Sequence, residues 1–275
     1  MCDLFIKACI EGDFEEAKII YYALEEAHEI YNQNDNINIS YINRGFIIAC
    51  RYGHLEIAKW LYNIKDINMN YKIDPHIIHI YNNEYCNTFV IACRYDQLEI
   101  AKWLYSILYV DNNVLFTYYI INRSFADACR YGYLEIVKWL YSLSDINITN
   151  KPDINLIYNN DYNNDYDHCN AFILACRFGH LEILKWLYSL DKIDIHLNND
   201  IAFYCSCIYG NLEIAKWLYS LDEKFKLYNT DKVFSATCCN HHFELLKWFM
   251  QLDNKPNIHY NNDEAFRMIC TACFN

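Results

Sequence analysis

Glycine and proline are scarce in this chain, with six and three residues in 275, and basic residues are outnumbered by acidic ones, 23 to 35. There is no glycine-rich phosphate loop, no GxSxG, no HExxH and no dinucleotide fingerprint, so no catalytic motif is available to build an enzyme on. Apolar runs such as Val114 to Ile121 fall far short of the roughly 20 residues a membrane helix needs. The start MCDLFIKACIEGD carries an early Asp3 and lacks the basic-then-apolar order of a secretory signal. The sequons at Asn38, Asn122 and Asn147 are therefore expected to be unused. A net charge of −12 argues against generic binding of nucleic acid or anionic membrane. Apolar residues are not lacking: they make up 54% of the chain, ample for a folded core.

Tryptophan is confined to one column. Trp60, Trp103, Trp139, Trp186, Trp217 and Trp248 each follow the same phrase: LEIAKWLY at 55–62, 98–105 and 212–219, LEIVKWLY at 134–141, LEILKWLY at 181–188 and FELLKWFM at 243–250. Self-similarity of this kind means an array of one supersecondary unit, each copy burying its face against its neighbours. Cysteine obeys the same period at Cys9, Cys50, Cys93, Cys129, Cys176, Cys207, Cys238 and Cys270, 31 to 47 residues apart. A small buried residue in a reducing compartment explains that column better than a disulfide framework does.

The unit NRGFIIACRYGHLEIAKWLYNI at 43–64 predicts two helices. Asn43 is the expected N-cap of the first, with Asn87, Asn122, Asn170, Asp200, Asp231 and Asp263 in matching positions. Phe46, Ala49 and Cys50 share one face of it. Gly53 ends it, and Gly12, Gly132, Gly179 and Gly210 fall in the same column, while Gly45 lies at a helix start. Asp96 replaces that glycine once, and His241 replaces it again, where strain or rearrangement is expected. The second helix is apolar on two sides, with Leu55, Ala58, Leu61 and Tyr62 on one stripe and Ile57, Trp60 and Ile64 on another. Only Glu56 and Lys59 face water, as an i, i+3 pair. The tryptophan column reads as packing between repeats, with an exposed aromatic ladder as the alternative.

The wording A-C-R-Y-G-H-L-E-I-A-K-W-L-Y resembles the second half of the ankyrin consensus. His54 and His180 stand at its Gly-His position, Asn211 and His242 less faithfully, and Asp66-Ile67-Asn68 and Asp145-Ile146-Asn147 look like its A-D-V-N tail. The phrasing is most similar to ankyrin families of giant DNA viruses that infect amoebae, and the wealth of Asn, Ile and Tyr fits an AT-rich genome. The T-P-L-H start of the family is missing throughout, and with so little proline and loop glycine the tidy β-hairpin fingers of the family are not expected. The implied fold is all-α, an ankyrin-like repeat solenoid of stacked helix-turn-helix units with long inter-repeat loops. It would form one domain over 1–275, with units at 1–42 (an acidic N-terminal cap), 43–85, 86–121, 122–168, 169–199, 200–230, 231–262 and a partial 263–275. That last segment is expected to be the least stable part. The connectors 25–42, 65–86, 108–121 and 144–169 differ between repeats and are candidate carriers of specificity.

An arginine recurs after the cysteine at Arg51, Arg94, Arg130 and Arg177, each followed by an aromatic, Tyr52, Tyr95, Tyr131 and Phe178, with Tyr209 in register. In ankyrin-like stacks these positions close the inner helix beside the concave, partner-binding face. A row of guanidiniums suits acidic side chains or phosphates, and pairing with nearby Asp and Glu is the plainer alternative. Cys238-Cys239-Asn240-His241-His242 looks metal-like, but Cys238 and His242 belong to the repeat columns. Cys270 and Cys273 form a lone CxxC, and no metal or cofactor is expected. The resemblance implies a non-enzymatic, intracellular scaffold that binds a protein, with a host protein as a candidate. A recruiter for host ubiquitin machinery and a structural component of a virion or inclusion are the alternatives.

Overall fold

The repeated phrase is helical at every copy because its apolar residues fall at helical spacing on two sides, and a second helix precedes each copy. In the computed structural model, residues 1–31, 36–64, 79–81, 84–108, 114–143, 152–156, 169–190, 192–222, 225, 230–260 and 267 are described. Among them, α1 (Cys2–Glu11) is followed by α2 (Phe14–Tyr31), α3 (Asn36–Tyr52) by α4 (Leu55–Asn63), and α5 (Thr88–Arg94) by α6 (Leu98–Leu108). Then come α7 (Val114–Tyr131) and α8 (Leu134–Ser142), α9 (Ala171–Phe178) and α10 (Leu181–Ser189), α11 (Leu197–Ile208) and α12 (Leu212–Leu221), and α13 (Thr230–Cys239) and α14 (Phe243–Phe249). This is an all-α repeat fold. The chain divides into two compact units, Met1–Asp127 with Lys138–Pro152, and Ala128–Val137 with Asp153–Asn275. In the first, α1 packs on α2 and α3, α3 on α4 and α5, and α5 on α6. In the second, α9 packs on α10 and α11, α11 on α12 and α13, and α13 on α14.

Each first helix of a pair buries a phenylalanine four residues before its cysteine: Phe5, Phe46, Phe89, Phe125, Phe172, Phe203 and Phe234. Residues four apart lie on one helical face, so ring and thiol form a single contact surface. The described cysteines of that column are all buried. Burial pushes the thiols of Cys9 up to about 12 and Cys238 up to about 11, and raises those of Cys50, Cys93, Cys129, Cys176 and Cys207 well above the ordinary thiol value. They act as small apolar groups rather than nucleophiles. In the outer helices Ile57, Ala58 and Leu61 are buried, whereas Leu55, Trp60 and Tyr62 are half-buried. The solvent side carries the i, i+3 pairs Glu99–Lys102, Glu182–Lys185, Glu213–Lys216 and Glu244–Lys247 at 2.6–3.3 Å.

The tryptophans pack between repeats. Tyr21–Trp60, Tyr62–Trp103, Tyr105–Trp139, Tyr188–Trp217 and Tyr219–Trp248 meet edge to face at 5.4–6.0 Å. Phe46, Phe89 and Phe172 also lie within 6.4 Å of the tryptophan of the following repeat. Such pairs contribute roughly 0.5–1.5 kcal/mol each beyond burial.

Several local expectations need correction. Asn87 and Asn170 do cap their helices, accepting from the Phe89 and Ile173 amides at 2.7 and 2.9 Å. Asn43 and Asn122 instead lie inside α3 and α7, which start earlier and are 17 and 18 residues long. Nothing between 36 and 43 or between 114 and 122 breaks a helix, and Asn122 turns its amide back onto the Tyr118 carbonyl at 2.8 Å. Much of the supposed connectors 25–42 and 108–121 is thus helix. Gly45 is likewise interior to α3, where an added Cβ would sit 2.6 Å from Phe5 Cε1. Asp200 is no cap either, because it lies in a left-handed turn with Asn198 and Asn199. Asp231 is the second residue of α13 and accepts from the Asn257 amide at 2.6 Å. A hairpin does form, with β1 (His79–Tyr81) antiparallel to β2 (Glu84–Cys86) and Ile80 opposite Tyr85. Asp263 and the segment 266–275, where low stability was expected, lie outside the described residues, Arg267 excepted.

The turn glycines have positive φ, and Asp96 (61°) and His241 (59°) take up the same left-handed region; at His241 the turn closes through three-apart bonds from the Asn240 and His241 amides to the Thr237 and Cys238 carbonyls. Left-handedness is only part of the demand. A Cβ on Gly132 would lie 2.6 Å from the His180 ring, and one on Gly179 would lie 2.9 Å from Asn211 Oδ1. Gly132→Ala is therefore expected to lower stability by about 2–4 kcal/mol, combining left-handed strain with a displaced His180. Asp96→Gly, at a site already left-handed, should be neutral or mildly stabilising. Urea unfolding of both variants checks the pair, and equal effects would contradict the assignment.

Candidate functional site

The candidate residues sit at inner-helix ends, and in the second unit two features of the next repeat fix Arg130 and Arg177 there. The first is a polar side chain that satisfies the carbonyls a helix C-terminus leaves open. His180 Nε2 lies 2.9 Å from the Arg130 carbonyl, and Asn211 Nδ2 donates to the Cys176 and Arg177 carbonyls at 2.8 and 2.9 Å. His54 and His242 reach Ile10 and Ile208 in the same way, both at 2.9 Å. A carbonyl only accepts, so each of these histidines carries its proton on Nε2.

The second feature is an aromatic ring. Arg51 Cζ lies 5.4 Å from the Tyr52 centroid and 4.3 Å from that of Tyr95. Arg130 Cζ lies 5.6 Å from Tyr131 and 5.0 Å from Phe178, and Arg177 Cζ lies 5.6 Å from Phe178 and 4.6 Å from Tyr209. Each arginine sits closer to the ring of the next repeat than to its own neighbour. The second unit thus holds a five-member stack, Tyr131–Arg130–Phe178–Arg177–Tyr209, and the first a shorter one, Tyr52–Arg51–Tyr95. The rings of Tyr52 (46%), Tyr131 (42%), Phe178 (41%) and Tyr209 (36%) are exposed, while Tyr95 is half-buried. Cation–π contacts of this kind contribute about 0.5–1 kcal/mol each in exposed positions. Arg130 forms no ion pair among the described residues, and its buried Nε has no hydrogen-bond partner.

Arg94 departs from the row. Its Nε and Nη2 donate to Asp127 Oδ2 at 3.0 and 2.7 Å, and both side chains are nearly buried. Arg123 Nε adds a 3.5 Å contact to the same oxygen. The plainer alternative of internal pairing therefore describes Arg94, whose charge is consumed within the first unit. Asp127 was missed in sequence, although a carboxylate at a position filled by Ile48, Ile91 and Leu174 in sister repeats was a usable signal.

The side chains of 238–242 serve separate ends. Cys238 is core, His242 holds the Ile208 carbonyl, Cys239 is exposed with its Sγ 3.2 Å from the Ser235 carbonyl, and His241 is exposed. Cys270 and Cys273 lie outside the described residues. No group of three potential metal ligands occurs among the described residues.

The family model for ankyrin repeats (three copies) matches residues 46–152 and 125–231. The chain belongs to the ankyrin-repeat family. Ankyrin repeats are protein–protein interaction modules and generally non-enzymatic scaffolds, so the Arg–aromatic row lies in an architecture built for contact with another protein. No curated protein matches this ankyrin chain. No described helix is long and apolar enough to cross a membrane.

One polar cluster escaped sequence reading altogether. His196 is held by Asp200 through Nδ1 and by Asp222 at 3.2 Å through Nε2, and its ring stacks 4.5 Å from Phe225. The Asp194 carboxylate accepts from the His196 amide at 2.9 Å. Partial burial opposes protonation, but the two carboxylates outweigh it and raise the pKa above the ordinary 6.5. The clasp braces the left-handed turn Asn198–Asp200 at the head of α11. A raised histidine pKa contributes stability that is complete below the unfolded value and lost as pH rises through the folded one. His196→Gln should therefore destabilise the protein below pH 6.5, and the gap from wild type should shrink above the raised pKa. Thermal melts of both proteins across that range test the assignment, and a gap that does not change with pH contradicts it.

Proposed function

We propose that this ankyrin protein is a non-enzymatic scaffold that recognises another protein through Arg51, Tyr52, Tyr95, Arg130, Tyr131, Arg177, Phe178 and Tyr209. Arg94, turned inward to Asp127, holds the neighbouring helix and is not a contact residue. The observation that carries the reading is the interleaving, within each unit, of arginines with aromatic rings at inner-helix ends, all of these rings but Tyr95 being exposed. Tyrosine and arginine are the residues that most often concentrate binding energy at protein interfaces. Rings held by cations on one side and carbonyls pinned from the next repeat make the row rigid before binding, which lowers the entropy cost of association. The scaffold works inside a cell: its buried thiols suit a reducing compartment. Its repeated wording, rich in Asn, Ile and Tyr, supports an origin among viral ankyrin families and a host protein as the partner.

Recovery of partners from a cell lysate tests the reading. The combined variant Arg51→Gln, Arg130→Gln, Arg177→Gln should reduce partner recovery by about tenfold or more while leaving the helical circular dichroism unchanged. Lys185→Gln on an outer helix should change nothing. Retention of every partner by the triple variant would place the binding surface elsewhere.

A further inference from the structure

We infer that the outer face of the first repeat binds a second copy of this chain, related to the first by a twofold axis running along α1 and α2. Register identifies the face. Phe5, Cys9 and Gly12 stand 41 residues before Phe46, Cys50 and Gly53, so Leu4, Lys7, Glu16 and Ile19 match Gly45, Ile48, Ile57 and Trp60. Those positions look back at the preceding repeat. A Cβ on Gly45 would lie 2.6 Å from Phe5, and Trp60 packs 5.7 and 5.4 Å from Phe14 and Tyr21. Asp127, in register with Ile48, accepts from Arg94 of the repeat before it. Ile57, Ile100, Ile136, Ile183 and Ile214 are buried, whereas Glu16, with no described repeat ahead of it, is exposed. The first repeat thus turns Leu4 (53% exposed) and Ile19 (68%) to solvent with Lys7 and Glu16 beside them, and Tyr22, three residues after Ile19, is exposed as well.

The residues of this face select its occupant. Small residues at the Leu4 position, Gly45, Thr88, Ser124, Ala171 and Ala202, let the neighbouring helix come close. Leucine blocks the close approach that stacking of a further repeat requires. An apolar surface with one cation and one anion suits a self-complementary contact instead. Counting from Gly12, Lys7 lies five residues back and Glu16 four ahead, Leu4 eight back and Ile19 seven ahead. The two helices run antiparallel about that turn, so the members of each pair stand at similar heights on either helix. A twofold axis between the helices lays α1 of one copy on α2 of the other. That one operation sets Leu4 against Ile19 and Lys7 against Glu16, twice over. The Lys7–Glu11 pair at 3.7 Å is exposed, and a surface pair of that kind is too weak to hold Lys7 back. The end of one helix pair is small beside the roughly 800 Å² per partner of a standard complex, so the dimer is a weak one, with a Kd on the order of 10 μM.

Sedimentation equilibrium of the full chain under reducing conditions tests this. The mass should rise with concentration from 33.0 kDa towards twice that value and stop there, because an isologous contact closes at two. Ile19→Asp should hold the protein at the monomer mass. Lys7→Glu alone and Glu16→Lys alone each bring like charges together, and each should weaken dimerisation about tenfold or more. An equimolar mixture of those two variants should recover it, because the mixed pair again joins opposite charges at both contacts. All three side chains are exposed, so helical circular dichroism should stay unchanged. A chain that stays monomeric well above that concentration, growth beyond the dimer, a dimer indifferent to Ile19→Asp, or a mixture as weak as either charge variant alone overturns the inference. None of these variants touches the arginine row, so the outcome is separate from the test of the proposed function.

Discussion

The structure depends on what happens at the turn between the two helices of each repeat. There the backbone must pass through the left-handed region, and a polar side chain from the next repeat must come down onto that point. The two demands together select glycine. The first alone would admit aspartate or asparagine, as Asp96 shows, but the second forbids a Cβ wherever histidine or asparagine lies against the turn. In return the histidine or asparagine satisfies carbonyls at the end of the preceding inner helix, which would otherwise stand open. One contact thus ends a helix, sets the approach of the next repeat and fixes the residues just before the turn. Those residues are the arginines and their neighbours, so the candidate surface inherits its geometry from the turn.

The aromatic residues divide into two populations by the same logic. Tryptophan stands on the outer helix and meets the tyrosine of the preceding repeat edge to face, half-buried. The rings at the inner-helix ends, exposed except for the half-buried Tyr95, meet cations instead. Edge-to-face packing uses the positive rim of one ring against the negative face of another, and cation–π contact uses the same negative face against a guanidinium. A repeat rich in tyrosine can therefore build both a seam and a surface from one chemistry, the difference being whether the neighbour is an indole or an arginine. The tryptophan column marks the seam.

Those features that repeat were legible in the sequence, and those that do not repeat were hidden. Columns of Gly, Cys, Trp and Arg located helix pairs, turns and core, because each column reports a constraint that every copy must meet. The capping positions at Asn43 and Asn122 misled because an asparagine side chain can bond within a helix as well as ahead of one, and only the surrounding backbone decides between the two. The inserts break the repeat and so read as loops, yet an insert with no helix breaker simply extends the helix it adjoins, as α3 and α7 show. The hairpin at 79–86 formed without the glycine or proline that usually announces one. His196, Asp200, Asp222 and Phe225 come from parts of the chain with no periodic relation, so no column could bring them together.

Arg94 and Arg130 occupy one column and have opposite fates, and the cause is a single position. In most repeats the inner helix carries an apolar residue two before the cysteine, leaving the neighbouring arginine to lie against rings. At 127 that residue is an aspartate. Removing either member of the buried pair it forms with Arg94 would leave a desolvated charge, a loss of roughly 3–5 kcal/mol. The arginine is therefore committed to the interior, and it no longer offers its charge to a ligand. The proposed contact residues are in this way edited from beneath: one core substitution turns Arg94 inward without any change in the arginine itself. An array that duplicates its repeats can vary its binding surface by changing one buried residue per copy, while the turns and aromatic seam that hold the copies together stay the same.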